Sequence, residues 1–196
     1  GAERADRGRL RVGGRRFAQG DPHASARMGI GMIYQELTLA PHLTVEENCY
    51  LGHEPSIAGL LKRRTRRENT RAILETLDHA EIDPARRVAD LSTGARQMVE
   101  IARVLARKAG ILVFDEPTSS LGREDVDTLF RRIRFLREQG KGVFYLSHFL
   151  EEVEELADRV TVLRDGAVAA RFRKGEFTRD DLVEAMVGRR VEQAYP

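Results

Sequence analysis

Residues 111–116 read Ile111-Leu112-Val113-Phe114-Asp115-Glu116, four apolar residues followed at once by two acids. A short continuous apolar run fits a strand of a parallel sheet, buried on both faces. A strand that ends in two acids delivers both carboxylates to the carboxyl edge of the sheet, where open α/β sheets bind their ligands. Phosphoryl transfer uses one carboxylate to hold Mg²⁺, usually through water, and a second group to orient the attacking water. Asp115 suits the first role and Glu116 the second. Taken alone, the pair suits an acidic strand end in solvent equally well.

Outward from this strand, segments of period two alternate with segments of period 3.6, the pattern of an α/β fold. Upstream, Gly8 to Phe17 predicts a hairpin turning at Gly13-Gly14, His23 to Met28 a short helix, and Ile30 to Tyr34 an apolar strand. Thr44 opens a helix, with Glu47 placed three residues on for a capping box. Arg64 to His79 is a charged helix whose Ile73, Leu74 and Leu77 make one apolar stripe. In Gln97 to Lys108, Met98, Ile101, Ala102 and Leu105 fall at i, i+3, i+4 and i+7. Downstream, Val126 to Leu136 marks a further amphipathic helix, closed by Gly140, and Val143 to Leu146 another buried strand. A hairpin across Asp165-Gly166 and a helix from Thr178 to Gly188 complete the pattern.

The surroundings of the two acids change their meaning. Pro117-Thr118-Ser119-Ser120-Leu121 follows them, and His148 ends the next strand. Upstream, Leu91-Ser92-Thr93-Gly94-Ala95 opens the best amphipathic helix, and Gln35 ends its own apolar strand. In order and spacing these resemble the Walker B, D-loop, switch histidine, signature and Q-loop motifs of the ATP-binding cassette (ABC) family. The resemblance implies an α/β P-loop NTPase (RecA-like) core with an inserted helical subdomain. It also implies Glu116 and His148 as catalytic residues, with ATP and Mg²⁺ as cofactors. Gln35, Ser92, Thr93, Gly94, Asp115 and Ser119 would bind the nucleotide, and Asp115 and Gln35 would face the metal.

Physical reasons accompany the resemblance. Ser92 and Gly94 lie just before a helix, where free amides and the helix dipole favour an anion. Ser92 also suits a plain capping role, worth about 1 kcal/mol. A lone histidine after a strand, or a glutamine at a strand end, would be ordinary, and only the register of the other motifs singles out His148 and Gln35. His23, His42, His53 and His79 have no such support. Three positions depart from the family pattern: Ala95 for the usual Gln, Thr93 for Gly, and Gly122 where Asp is frequent.

A phosphate-binding loop needs G-x-x-x-x-G-K-[ST]. The one Gly-Lys pair, Gly140-Lys141, is followed by Gly142 and has Phe135 at the first glycine's place. The resemblance therefore implies a chain lacking the P-loop strand and helix, with Gly1-Ala2-Glu3 as the turn after them, and no ATP binding in isolation. Gly29 to Gly52, Gln97 to Arg103 and Ser147 to Val153 resemble the sugar-importer branch of the family. Met186 to Arg189 and Tyr195-Pro196 resemble the end of the first of two fused cassettes. That implies residues 1–39 and 109–165 as core, about 40–108 as helical subdomain, and 166–196 as a C-terminal hairpin and helix. The implied partners are a second cassette, transmembrane permease subunits and, indirectly, an external sugar-binding protein.

Composition sets bounds. The 196 residues carry 33 basic and 31 acidic side chains, and 41% of them are hydrophobic, enough for a sizeable core. Near-balance of charge argues against a nucleic-acid partner. The basic run Lys62 to Arg67 is the one feature for such a partner, and Glu68 and Glu75 dilute it. Cys49 is the single cysteine, so no internal disulfide forms, which fits a reducing compartment. No apolar run approaches the ~18 residues of a membrane span. These features predict a cytoplasmic protein, peripheral on the inner face of the plasma membrane in the family's manner. The alternative is a non-hydrolysing docking or dimerisation module from a naturally truncated gene.

Overall fold

The strand anticipated from 111–116 is the middle of a three-stranded parallel sheet in the computed structural model, which describes residues 3–17, 19–54, 56, 57, 60, 61 and 63–188. In chain order the elements are β1 (Arg11–Val12), β2 (Arg15–Arg16), α1 (Pro22–Arg27), β3 (Ile30–Ile33), α2 (Val45–Tyr50), β4 (Ser56–Ile57) and β5 (Leu60–Leu61). Then follow α3 (Arg63–Thr76), a 3-10 turn at Val88–Asp90, α4 (Thr93–Ala106), β6 (Ile111–Asp115), α5 (Arg123–Glu138) and β7 (Gly142–Leu146). The chain closes with α6 (Leu150–Leu156), β8 (Arg159–Arg164), β9 (Ala167–Arg173) and α7 (Arg179–Val187). Gly1, Ala2, Lys62, Arg189, Tyr195 and Pro196, used in the sequence reading, lie outside the described residues.

The parallel sheet runs β3-β6-β7, pairing Ile33 with Phe114 and Asp115 with Leu146. Its register puts Gly31, Leu112 and Val143 on one face with Ile33, Phe114 and Tyr145. That face is the core: Ile33, Leu112 and Phe114 are fully buried. Two helices cover it. Val104 of α4 fills the space that a Cβ on Gly31 would need, and the Phe130 ring of α5 meets Tyr145 edge-on at 6.1 Å. Leu129, Ile133 and Leu136 extend the α5 contact, and each is buried.

The opposite face corrects the expectation of strands buried on both sides. Ile30, Met32 and Val113 are only half-buried there, Phe144 is 62% exposed and Leu146 is 46% exposed. The physical reason lies in the layering: α4 and α5 sit on the same side of the sheet. β7 is also an edge strand among the described residues, paired with β6 alone. Its apolar composition says strand, but composition is silent about how many neighbours that strand has.

The helices α2, α3 and α4 pack on one another around Val45, Cys49, Leu74, Leu77, Met98 and Ile101, all buried. Thr44 caps α2 through the anticipated capping box with Glu47. Residues 84–89 run beside 41–46, where Val45 N–H donates to Arg86 O at 2.9 Å and Val88 N–H to Leu43 O at 3.1 Å. Burial pushes the Cys49 thiol up to about 12, so it stays protonated and acts as a packed apolar group.

Two compact units divide the chain, Gly1–Leu146 and Ser147–Pro196. Within the second, β8 and β9 pair antiparallel from Arg159↔Arg173 to Arg164↔Ala167, with a register shift at Val162/Leu163. Thr178 caps α7 with Asp181 in a second capping box, and Gly188 ends the helix at φ 81°, the left-handed turn that glycine allows.

Candidate nucleotide site

The carboxyl edge of β3 and β6 gathers the first unit's candidate residues. The last β3–β6 pair is Ile33↔Phe114, so Asp115 is one residue past it and Gln35 two past it on the neighbouring strand. Both leave the sheet at the same edge, as parallel strands require. Gln35 is exposed and Asp115 half-buried.

Glu116 takes a left-handed backbone, φ 45°, which a non-glycine residue adopts at a cost of about 1–2 kcal/mol. Its N–H donates to Leu146 O of β7 at 3.0 Å, which fixes the turn against the edge strand. Pro117 and buried Thr118 complete that turn, and Ser119, exposed, follows with its N–H 3.4 Å from Glu116 O. Held strain of this kind gathers at sites where a side chain must be aimed. Here it turns Glu116 out of the strand's alternation.

At α4, Ser92 is the N-cap, and its hydroxyl accepts from Ala95 N–H at 3.3 Å. Capping and anion binding can share this end, because Thr93 and Gly94 begin the helix with unpaired amides directed outward along its axis. Arg96 steadies the approach to it by donating to Val88 O at 3.1 Å and Ala89 O at 2.8 Å. Ser92 and Thr93 are exposed, whereas Gly94 is buried.

The burial of Gly94 has a cause that the motif alone does not reveal. A Cβ there would lie 2.6 Å from Cγ and 3.0 Å from Oδ2 of Asp125, in the first turn of α5. The glycine therefore permits α5, which follows the Glu116 turn, to rest against the start of α4. Those Asp125 atoms are the far end of a half-buried side chain that can turn aside, so the overlap in Gly94→Ala is offset by the gain of at most about 1 kcal/mol in helix propensity. A stability within about 1 kcal/mol of the parent in urea unfolding is the expected result. A loss above about 2 kcal/mol would show that Asp125 is held in place.

His148 lies in the second unit, two residues after β7 ends. It is exposed, with its ring 4.1 Å from that of Phe149. Ser147 beside it bonds Glu152 and accepts from Phe149 N–H at 3.0 Å, which shapes the entry to α6. The structure thus brings Gln35, Asp115 and Glu116 to one sheet edge, sets Ser92, Thr93 and Gly94 at one helix end, and places His148 in the other unit.

Among the described residues, no group of three or more His, Cys, Asp or Glu side chains could hold a metal unaided. Asp115 and Gln35, which leave neighbouring strands at one edge, are nevertheless oxygen donors of the kind that could hold Mg²⁺. That ion keeps most of its waters and takes one or two carboxylates beside substrate phosphates. No helix is long and apolar enough to cross a membrane, among the described residues.

Comparison with known proteins bears on this arrangement. Residues 1–119 match the family described as ABC transporter. The chain belongs to that family. Over all 196 residues this cassette chain is 45% identical to a ribose import ATP-binding protein (RbsA 1) of Rubrobacter xylanophilus, covering 39% of that protein's length. It is 43% identical to the arabinose import ATP-binding protein AraG of Chromohalobacter salexigens, again across the whole chain and 39% of the relative. The cassette chain therefore spans about two-fifths of the length of these relatives. In fold it resembles a nucleotide-free ATP-binding cassette of an ABC transporter, with a TM-score of 0.76 at 22% identity. That likeness covers 98% of this chain and 78% of the other. The ADP conformation of another cassette gives a TM-score of 0.77 at 23% identity, over 94% and 78% of the two chains.

Two sets of residues escaped the sequence reading. Asp125 reads as an ordinary acid in a helix's first turn, and its contact with Gly94 spans 31 positions. Buried Glu100 forms a cluster with Arg103 and Thr38 for which the one available signal was an acid on the apolar face of α4.

Proposed function

We propose that this chain is part of the ATP-binding and ATP-hydrolysing subunit of an ABC importer that energises monosaccharide uptake. The observation that carries this is Asp115-Glu116 at the carboxyl end of the central strand, beside Gln35, in a cassette that aligns end to end with ribose and arabinose import ATP-binding proteins. Asp115 would hold Mg²⁺, Glu116 would orient the attacking water and take its proton, and Gln35 would report the state of the γ-phosphate. Mg²⁺, when bound, neutralises charge that builds on the phosphates. Ser92, Thr93 and Gly94 meet the γ-phosphate of ATP held by a second cassette, with Ser119 in the loop between the two. His148 orders the water.

The helices α2, α3 and α4, within about 40–108, make the subdomain that meets the permease, with the sugar-binding protein acting through it. Residues 1–39 and 109–165 are the core, and 166–196 a C-terminal hairpin and helix. The assembly sits on the inner face of the membrane. A second cassette, fused in the same polypeptide, supplies the other half of each site.

The exposed apolar face supports a further part of this reading. A parallel sheet is ordinarily covered on both sides, and β7 has an unpaired edge among the described residues. A phosphate-loop strand on that edge, and its helix over Phe144 and Leu146, would supply the cover. The chain has no G-x-x-x-x-G-K-[ST] segment, so residues 1–196 alone bind Mg-ATP negligibly. Titration with a fluorescent ATP analogue checks this: the chain shows no saturable signal, whereas a polypeptide that adds the loop binds and, with permease, hydrolyses. Saturable micromolar, Mg²⁺-dependent binding by residues 1–196 would refute it.

A further inference from the structure

We propose that Glu100 is a positioning residue which, with Arg103, fastens the loop behind Gln35 to α4 through Thr38. Gln35 and the Ser92 end of α4 are thereby held in one mechanical unit. The functional weight of this link rests on the reading above, whereas the link itself is a matter of contacts.

Glu100 is 1% exposed, on the inner side of α4 among Val99, Ile101 and Ala102, which are fully buried. A buried carboxylate is costly unless it is both paired and hydrogen-bonded. Arg103, one turn on, provides the pair at 2.6 Å. That contact is local to the helix and would suffice to neutralise the charge. The remaining contacts reach across 62 residues: Glu100 Oε1 accepts from the Thr38 N–H at 2.7 Å and from its hydroxyl at 3.1 Å. Arg103 in turn donates to Thr38 Oγ1 at 2.6 Å and to Thr38 O at 3.4 Å. All three polar groups of Thr38 are thus bound by two side chains of one helix.

A second grip lies two residues on. Asn48 of α2, 1% exposed, accepts from the Ala40 N–H at 2.7 Å and donates to Ala40 O at 3.0 Å. Residues 38–40 are therefore held to both α2 and α4, while Gln35 and Glu36 stay exposed. Gln35 is three residues from Thr38, so little slack separates the candidate γ-phosphate sensor from the clamp. The same helix carries Ser92 at its N-terminus. A displacement of Gln35 along the chain then passes to α4 through charge-assisted hydrogen bonds, which are stronger than neutral ones.

Hydrogen–deuterium exchange and ATP turnover test this in parallel. Glu100→Ala is expected to speed amide exchange at 36–40 by about tenfold or more, the scale of losing one charge-assisted bond. Exchange in residues 101–106 should hold. Thr38→Val, which leaves the core of α4 intact, gives a smaller acceleration confined to the same loop. Glu100→Gln recovers part of the protection, since its amide oxygen still accepts from Thr38. In the assembled importer the Ala variant lowers kcat by about tenfold with KM moved less than twofold, because placement is lost and not nucleotide affinity. Unchanged exchange at 36–40 in both Glu100→Ala and Thr38→Val overturns the clamp. A loosened loop with unchanged kcat overturns its role. An assembled wild-type protein that never hydrolyses ATP sinks the importer reading, and the exchange result still decides the link.

Discussion

Glu116→Gln is expected to lower ATP turnover by about 10²–10⁴-fold, the range for removing a positioned general base. The substitution keeps the side chain's length and its left-handed backbone at φ 45°, so the turn held by Leu146 O persists. What changes is charge: an amide cannot take a proton from water. Asp115, one residue earlier at the end of β6, is untouched, and Mg-ATP affinity of the assembled importer should stay within about threefold. Steady-state kcat at saturating Mg-ATP, with a parallel binding titration, separates the two quantities. Turnover within threefold of the parent would remove Glu116 from the chemistry and leave it as the residue that shapes the turn.

The second large effect concerns stability. Glu46 is 3% exposed in α2, and Arg66 of α3 is 7% exposed. Arg66 Nη2 lies 3.0 Å from Glu46 Oε1, while Arg67 Nε reaches Oε2 at 2.8 Å. Glu46→Ala removes the partner of a buried guanidinium and leaves that charge uncompensated, at a cost of about 3–5 kcal/mol. Glu47, 3.9 Å from Arg66, is engaged elsewhere. The Thr44 backbone N–H and hydroxyl, both donating to its carboxylate, hold that group below the usual glutamate range. Urea unfolding of Glu46→Ala, Arg66→Met and the double variant Glu46→Met/Arg66→Met checks the account. The double variant should recover most of the loss, since an apolar pair avoids desolvating charge. A Glu46→Ala loss below about 1 kcal/mol would show that water or Glu47 rescues Arg66.

Much of the architecture was legible. Continuous apolar runs located β3 and β6, the Asp165-Gly166 turn located the β8–β9 hairpin, and the period of 3.6 located the amphipathic helices, because burial on one face of a helix writes itself into spacing. Capping chemistry is local as well. Thr44 with Glu47, Thr178 with Asp181, and Gly188 needed only their immediate neighbours. The candidate residues were legible for a related reason: Asp115 and Glu116 end a strand, Gln35 ends another, and Ser92 begins a helix. Each occupies an element terminus, and termini can be read from sequence.

What failed was everything that depends on neighbours distant in the chain. Val143 to Leu146 looked like a strand buried on both faces, yet Phe144 and Leu146 are exposed because α4 and α5 share one side of the sheet. The packing of Asp125 from another helix against Gly94 had no local signal. The link from Glu100 to Thr38 spans 62 positions and was not read from the sequence.

The amino-acid sequence by itself determined the α/β class, the two acids at a strand's carboxyl end, the capped helix behind Ser92, and the absence of a phosphate loop from these residues. Each of these follows from local sterics, periodicity or motif chemistry over a few positions. Only the tertiary structure decided which face of the sheet is covered, that Asp125 packs against Gly94, and that the loop behind Gln35 is held to α4. Those depend on partners distant in the chain, such as Gly31 with Val104 or Thr38 with Glu100, and no local preference encodes which distant partner fills a given space.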